Sequence, residues 1–144
     1  MHKLQFFRWL AMFALAHTAS LAIAAEPAQV QVRLSDGSNG KMSLNLSTLT
    51  IVAGPVEFVV KNQSSSLKHE FMIVPWTTKL DALPYDAKTQ QVDEAGLGAM
   101  EGVEDLAPGE TVTTRLVLVK GRYVVFCNEP GHYKASMRSA FVVK

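Results

Sequence analysis

The chain has 144 residues, 48% of them hydrophobic and 19% charged, with a formal net charge of +1. This composition suits one globular domain with one core, and a near-neutral charge without basic runs excludes an electrostatic footprint for nucleic acid. No segment is long and apolar enough to mark a mature membrane protein.

The first 24 residues have the layout of a secretory signal. Lys3 and Arg8 make a basic start, Trp9 to Ile23 is mostly apolar, and Ala22-Ile23-Ala24 supplies a small-x-small cleavage pattern. Cleavage is expected after Ala24 or Ala25, leaving residues 25–144 as the mature domain in the periplasm, soluble and without a membrane anchor. Removing residues 1–24 takes away two basic residues and no acidic ones, so the mature charge is −1.

Beyond the signal, short alternating apolar runs dominate and predict strands. They fall at Gln29–Leu34, Lys41–Leu46, Leu49–Val52, Val56–Lys61, His69–Val74, Thr111–Val119, Gly121–Cys127 and Ser139–Val143. Turn signals separate them, among them Ser-Asp-Gly-Ser-Asn-Gly at 35–40 and Gly54-Pro55. Seven to eight strands with this punctuation predict an all-β sandwich. The stretch from Trp76 to Pro108 is too long for a hairpin loop. It is expected to be an excursion with a short helix inside Asp86–Met100.

The chain has one cysteine, Cys127, so an intrachain disulfide is impossible. A thiol exported into an oxidising compartment needs a protected role, and metal ligation is one. Cys127 ends a strand, His132 follows a Pro130-Gly131 turn, and Met137 stands before the last strand. His69 opens an earlier strand, and it and His132 are the only histidines of the mature chain. A thiolate and two imidazoles in a trigonal array, with a long axial thioether, make an electron-transfer copper centre. The soft sulfur donors suit Cu(I), and imidazole suits both oxidation states. Zinc gives no reason for a thioether. Taken singly, each residue has a plainer reading, as strand-end histidine, small buried hydrophobe or core filler, and Met42, Met72 and Met100 keep that reading. The spacing of the set is what separates copper ligation from these plainer roles.

The chain resembles the cupredoxins, the family of plastocyanin, azurin, pseudoazurin and auracyanin. The resemblance runs from about Gln29 to Lys144. It is carried by Gly121-x-Tyr123-x-Val125-x-Cys127, by Pro-Gly-His-Tyr at 130–133, and by His69-Glu70-Phe71. The Cys–His gap is like that of azurin and auracyanin. The resemblance implies a Greek-key sandwich and one copper ion cycling between Cu(II) and Cu(I). It also implies Nδ1 ligation by His69 and His132, Cys127 as thiolate and Met137 as axial ligand. The expected role is a monomeric periplasmic electron carrier, not an enzyme, exchanging electrons with redox partner proteins. The alternative is a copper-handling protein that uses the same site for transfer or tolerance.

One departure concerns Glu70, where many family members have Asn or Ser. Glu70 either bonds Asn128 and clamps the two ligand segments together, or points to solvent. Tyr123 and Val125 share a strand face with Cys127 and are expected in the core. Pro130, lacking an N–H, is expected to limit hydrogen bonding near the sulfur. Tyr133 with Pro75-Trp76 either forms an apolar rim around His132, or Trp76 is ordinary core.

Overall fold

A computed structural model of the protein describes residues 26–37, 41–76 and 78–144. The expected signal segment, residues 1–24, lies outside the described residues. Among the described residues there are eleven strands: β1 (Ala28–Ser35), β2 (Ser43–Leu46), β3 (Thr50–Ile51), β4 (Gly54–Asn62), β5 (His69–Pro75), β6 (Tyr85–Asp86), β7 (Gln91–Val92), β8 (Glu101–Leu106), β9 (Thr111–Leu118), β10 (Gly121–Phe126) and β11 (Arg138–Val143). They form a four-stranded sheet in the order β2-β1-β4-β9, a five-stranded sheet in the order β3-β11-β10-β5-β8, and a separate β6-β7 pair.

The two large sheets pack face to face because their strands alternate. In β1, Val30, Val32 and Leu34 point inward, and in β4 Val56, Phe58 and Val60 do the same. The inward faces meet in one core with Phe71, Ile73, Tyr123, Val125 and Phe141. The ring of Phe58 lies 5.0 Å from Phe71 and 5.7 Å from Phe141, centroid to centroid. Each such fully buried ring contributes about 1.5–3 kcal/mol over leaving it in water. Cys127 and Met137 belong to this same core.

β5 and β10 depart from simple alternation, with four consecutive buried residues each. The reason is the excursion. Leu80, Leu83, Tyr85, Val92, Leu97 and Met100 lie over the outer face of the five-stranded sheet, against Met72, Val74, Val124, Phe126 and Tyr133. Strands covered on both faces read as continuous apolar runs.

The excursion differs in detail from the sequence expectation. The short helix amounts to a single 3-10 turn at Glu94–Gly96, capped by the Asp93 side chain on the Ala95 amide. The apolar residues of the segment are spaced to meet a sheet rather than to line one helical stripe. Its backbone pairs instead as β6 with β7, and Asp93 N–H donates to Pro84 O at 2.8 Å. β8, inside the same stretch, was not expected from the sequence. Its acidic composition, Glu101-Gly-Val-Glu-Asp-Leu106, hides it, yet it pairs antiparallel with β5 at the sheet edge. Gly102 is required there, since a Cβ would sit 2.3 Å from Phe71 O. Among the described residues no helix is long and apolar enough to cross a membrane.

Candidate metal centre

Three segments meet at one end of the sandwich. β5 begins at His69, where an irregularity between His69 and Phe71 shifts its register with β8. Such bulges re-aim a side chain. Ahead of it, the 62–68 loop is organised by Asn62, which is fully buried. Asn62 Nδ2 donates to Leu67 O, Leu106 O and Ala107 O at 2.9–3.1 Å, and its Oδ1 accepts from Ser64 N–H at 2.9 Å. This one amide ties the approach to His69 to the end of β8.

The second segment is the loop from Cys127 to Met137. It closes on itself through Cys127 N–H to Met137 O at 3.0 Å, Met137 N–H to His132 O at 3.1 Å, and His132 N–H to Glu129 O at 3.0 Å. Gly131 takes φ +84°, and Ser136, just before Met137, takes φ +78°. A non-glycine residue in the left-handed region is strained and is held there by the loop around it. The Arg138 guanidinium donates to Tyr133 O and braces the loop from β11.

The third segment is β7, which anchors the loop from outside. Asn128 Oδ1 accepts from Val92 N–H at 2.6 Å. Asn128 Nδ2 donates to Val92 O at 3.1 Å and to Glu94 Oε1 at 2.8 Å. Gln91 Nε2 donates to Asn128 O at 2.9 Å, and Gly131 N–H donates to Gln90 O at 2.7 Å. The suggested Glu70–Asn128 clamp is therefore not formed, because the Asn128 amide is engaged with Val92 and Glu94. A clamp exists, but it ties the Cys127 segment to β7.

These segments bring His69, Cys127 and His132 together, with their donor atoms all within 4.8 Å of one another. The two Nδ1 atoms are 3.1 Å apart, and Cys127 Sγ lies 3.8 Å from His69 Nδ1 and 3.4 Å from His132 Nδ1. Metal–nitrogen bonds of about 2.0 Å and a metal–thiolate bond of about 2.3 Å, in a trigonal array, place nitrogens about 3.5 Å apart and nitrogen and sulfur about 3.7 Å apart. The residues fit one ion within a few tenths of an ångström. Met137 is fully buried in the same core as Cys127 and joined to it through the main chain.

The electrostatics describe a dry site. Burial pulls His69 down to about 4, with His132 adding to the shift and Asp36 opposing it. Burial also lowers His132, opposed by Glu129. Both imidazoles are thus neutral at pH 7, the form that binds metal. Burial pushes the Cys127 thiol up to about 12, opposed by the backbone N–H groups of Glu70 and Glu129. The Glu70 N–H donates to the sulfur at 3.2 Å. The Glu70 carboxyl is itself pushed up to about 7, first by burial and then by Glu129, Glu94, Glu104 and Asp105. What Glu70 gives the site is its main-chain N–H.

Two expectations about the surroundings resolve differently. Tyr123 and Val125 are in the core, as the strand pattern predicts. Tyr133 is not a surface rim: it is fully buried, donates to Leu80 O at 2.9 Å and accepts from Leu83 N–H at 3.3 Å. Trp76 packs against the outer cluster beside it. Of the two histidines, His132 is 8% exposed and His69 is 0% exposed. Sequence reasoning missed Asn62, Gln91 and the Val92–Asn128 clamp, whose partners are far apart in the chain.

Comparison with known proteins agrees with the fold. No match was found among curated protein sequences. Among solved structures, rusticyanin from Thiobacillus ferrooxidans is similar, with 21% identity, a TM-score of 0.59, and coverage of 84% of this chain and 80% of that one. Auracyanin from the photosynthetic bacterium Roseiflexus castenholzii has 22% identity and a TM-score of 0.53, covering 81% of this chain and 98% of that one. Auracyanin A from Chloroflexus aurantiacus, described as a "blue" copper protein, has 20% identity and a TM-score of 0.52, covering 81% and 100%. At these identities the likeness concerns the fold. The family itself is shown by sequence: residues 30–144 match the model for copper-binding proteins of the plastocyanin/azurin family, and the chain belongs to that family, the cupredoxins.

Proposed function

We propose that residues 25–144 form a periplasmic one-electron carrier, released by cleavage of a signal at residues 1–24. His69, Cys127, His132 and Met137 would hold the copper ion. The observation that carries this reading is the convergence of two neutral imidazoles and one thiol, all buried, with donor separations that suit a single ion. Copper bound there supplies one-electron chemistry between Cu(II) and Cu(I).

The protein's own residues make that exchange easy. The ligand loop is closed by its own hydrogen bonds and anchored to β7, so the donors are held in one arrangement for both oxidation states. The Cys127 sulfur faces a main-chain donor instead of water. His132 is the more exposed histidine and offers the edge through which an electron reaches a redox partner protein. With Met137 as a fourth ligand the ion would have no open position, so no substrate turnover is assigned. It takes the protein to act as a monomer.

The competing role, copper transfer or tolerance, uses the same residues and is separated by kinetics. The copper-loaded mature chain is mixed with a chelator and, separately, with its reduced form. A carrier keeps its copper over hours and exchanges electrons rapidly. Fast, reversible copper loss with slow electron exchange would replace the carrier reading with the handling one.

A further inference from the structure

The end of the sandwich opposite the metal centre is built from three crossings between the two sheets. Residues 47–49 lead from β2 to β3, residues 52–53 from β3 to β4, and residues 119–120 from β9 to β10. Strand registers bring them to one tip: Gly54 faces Leu118, and Gly121 faces Val143, which pairs with Ile51. β10 runs from Gly121 to Phe126, directly before Cys127, so the tip lies about 20 Å from the site at about 3.3 Å per residue.

Each crossing carries an exposed large hydrophobic side chain: Leu49 is 53% exposed, Val52 76% and Val119 69%. Val117, 77% exposed, stands beside them on β9, opposite Pro55. Among the described residues the fifth such side chain is Leu67, at the metal end, in a loop that otherwise reads Asn-Gln-Ser-Ser-Ser before Lys68. The backbone under the tip is fixed. Tyr123 OH donates to Val119 O, Ala53 N–H to Lys144 O, and Val142 N–H to Leu49 O, all at 2.9 Å. Little order is left to impose on docking.

The charges at the two ends differ in sign. Segments 47–56, 117–122 and 140–144 hold Lys120, Arg122 and Lys144, all exposed, and no acidic side chain. Of the carboxylates next in the chain, Glu57 is paired with Arg115 at 2.8 Å and Glu26 precedes β1. The metal end carries Glu70, Glu104, Asp105 and Glu129.

We propose that this tip, with Leu49, Val52, Val117 and Val119 beside Lys120, Arg122 and Lys144, is a reversible docking surface for an anionic lipid bilayer. Aliphatic side chains enter the headgroup boundary while lysine and arginine meet the phosphates. A second copy of the chain fits the tip less well, because it brings like charges together. The carboxylates of the opposite end are repelled by the same bilayer, which sets the orientation. The chain path agrees: Ala28 opens β1 beside Val56, so the expected signal segment joins the domain at this tip. Docked in this way, the protein turns its metal end toward the aqueous side. That consequence rests on the copper reading above; the docking does not.

The test is flotation of the copper-free mature chain with vesicles of phosphatidylglycerol and phosphatidylethanolamine. Wild type floats with them, is released by added salt, and does not float with phosphatidylcholine vesicles. Val52→Ser/Val119→Ser and Lys120→Glu each lower the partition coefficient at least about fivefold, the share of one cation at an anionic surface. Lys88→Glu, the same charge change on the exposed β6–β7 turn, alters it less than about twofold, because screening confines the effect to charges at the surface. All these positions are exposed, and urea unfolding checks that each variant folds as wild type does. Wild type that does not float, or floats equally with phosphatidylcholine, would overturn the proposal. So would a valine variant that floats like wild type, or an equal loss in Lys88→Glu. A dimer in sedimentation that Val52→Ser/Val119→Ser dissolves would assign the tip to a second copy instead.

Discussion

The Nδ1 atoms of His69 and His132 lie 3.1 Å apart, in a site where burial keeps both rings neutral and Cys127 protonated. Two such nitrogens share at most one proton, whereas a metal ion binds both lone pairs once the thiol gives up its hydrogen.

Copper uptake at pH 7 is therefore expected to release about one proton per ion, that of the Cys127 thiol, since ligands must be deprotonated to bind. Cys127 stays a thiol in the copper-free protein up to about pH 12. His69 stays neutral down to about pH 4 and contributes no proton at pH 7 or 5. Around pH 7 apparent affinity then falls about tenfold for each pH unit lost. Calorimetry of Cu(II) binding in buffers of different ionisation enthalpy reads the proton count. Two or three protons released at pH 7 would contradict the neutral histidines.

Asn62 has four hydrogen bonds to the main chain and no exposure. Asn62→Ala removes the side-chain donor to Leu67 O, Leu106 O and Ala107 O and the acceptor of Ser64 N–H beneath the loop that leads to His69, and of these Ala107 O keeps a second partner, the Glu110 N–H. Each buried group left unpaired costs about 1–3 kcal/mol, so a total loss of at least about 2 kcal/mol is expected. Urea unfolding of the copper-free variant measures it. A loss under about 0.5 kcal/mol, the range of an ordinary surface change, would show that the hub is dispensable.

Met137 is fully buried, and Met137→Leu is nearly volume-conserving, with a cost under about 1.5 kcal/mol. The variant is expected to keep the visible thiolate-to-copper band, because Cys127 and both histidines are untouched. Its reduction potential should rise, since Cu(I) is satisfied by the three remaining ligands whereas Cu(II) loses more with the fourth donor. Voltammetry of the loaded variant checks the sign. A lowered potential would remove Met137 from the axial place.

Glu70→Gln retains the main-chain N–H that reaches the Cys127 sulfur. The position of the visible band is therefore expected to match wild type. A displaced band in the absorption spectrum would return a direct role to the Glu70 side chain.

Legibility in the sequence followed the range of the interactions. Cys127, His132 and Met137 stand in one loop, so their spacing alone exposes them, and His69 is marked by opening a strand. Alternation found the strands with one solvent face, such as Val56–Lys61 within β4. It did not find β8, whose acidic residues read as loop although they pair with β5. It also did not find Asn62, which looks like a turn residue but bonds to residues 67, 106 and 107. Gln91 was silent for the same reason: its partner is 37 positions away, across the excursion.

The central claim is that His69, Cys127, His132 and Met137 hold one copper ion. Its most direct test is a Cu(II) titration of the mature chain followed by visible absorption. The account predicts an intense thiolate-to-copper band that saturates at about one copper per chain and is absent in Cys127→Ser. A folded wild-type chain that stays colourless and binds no copper would contradict it.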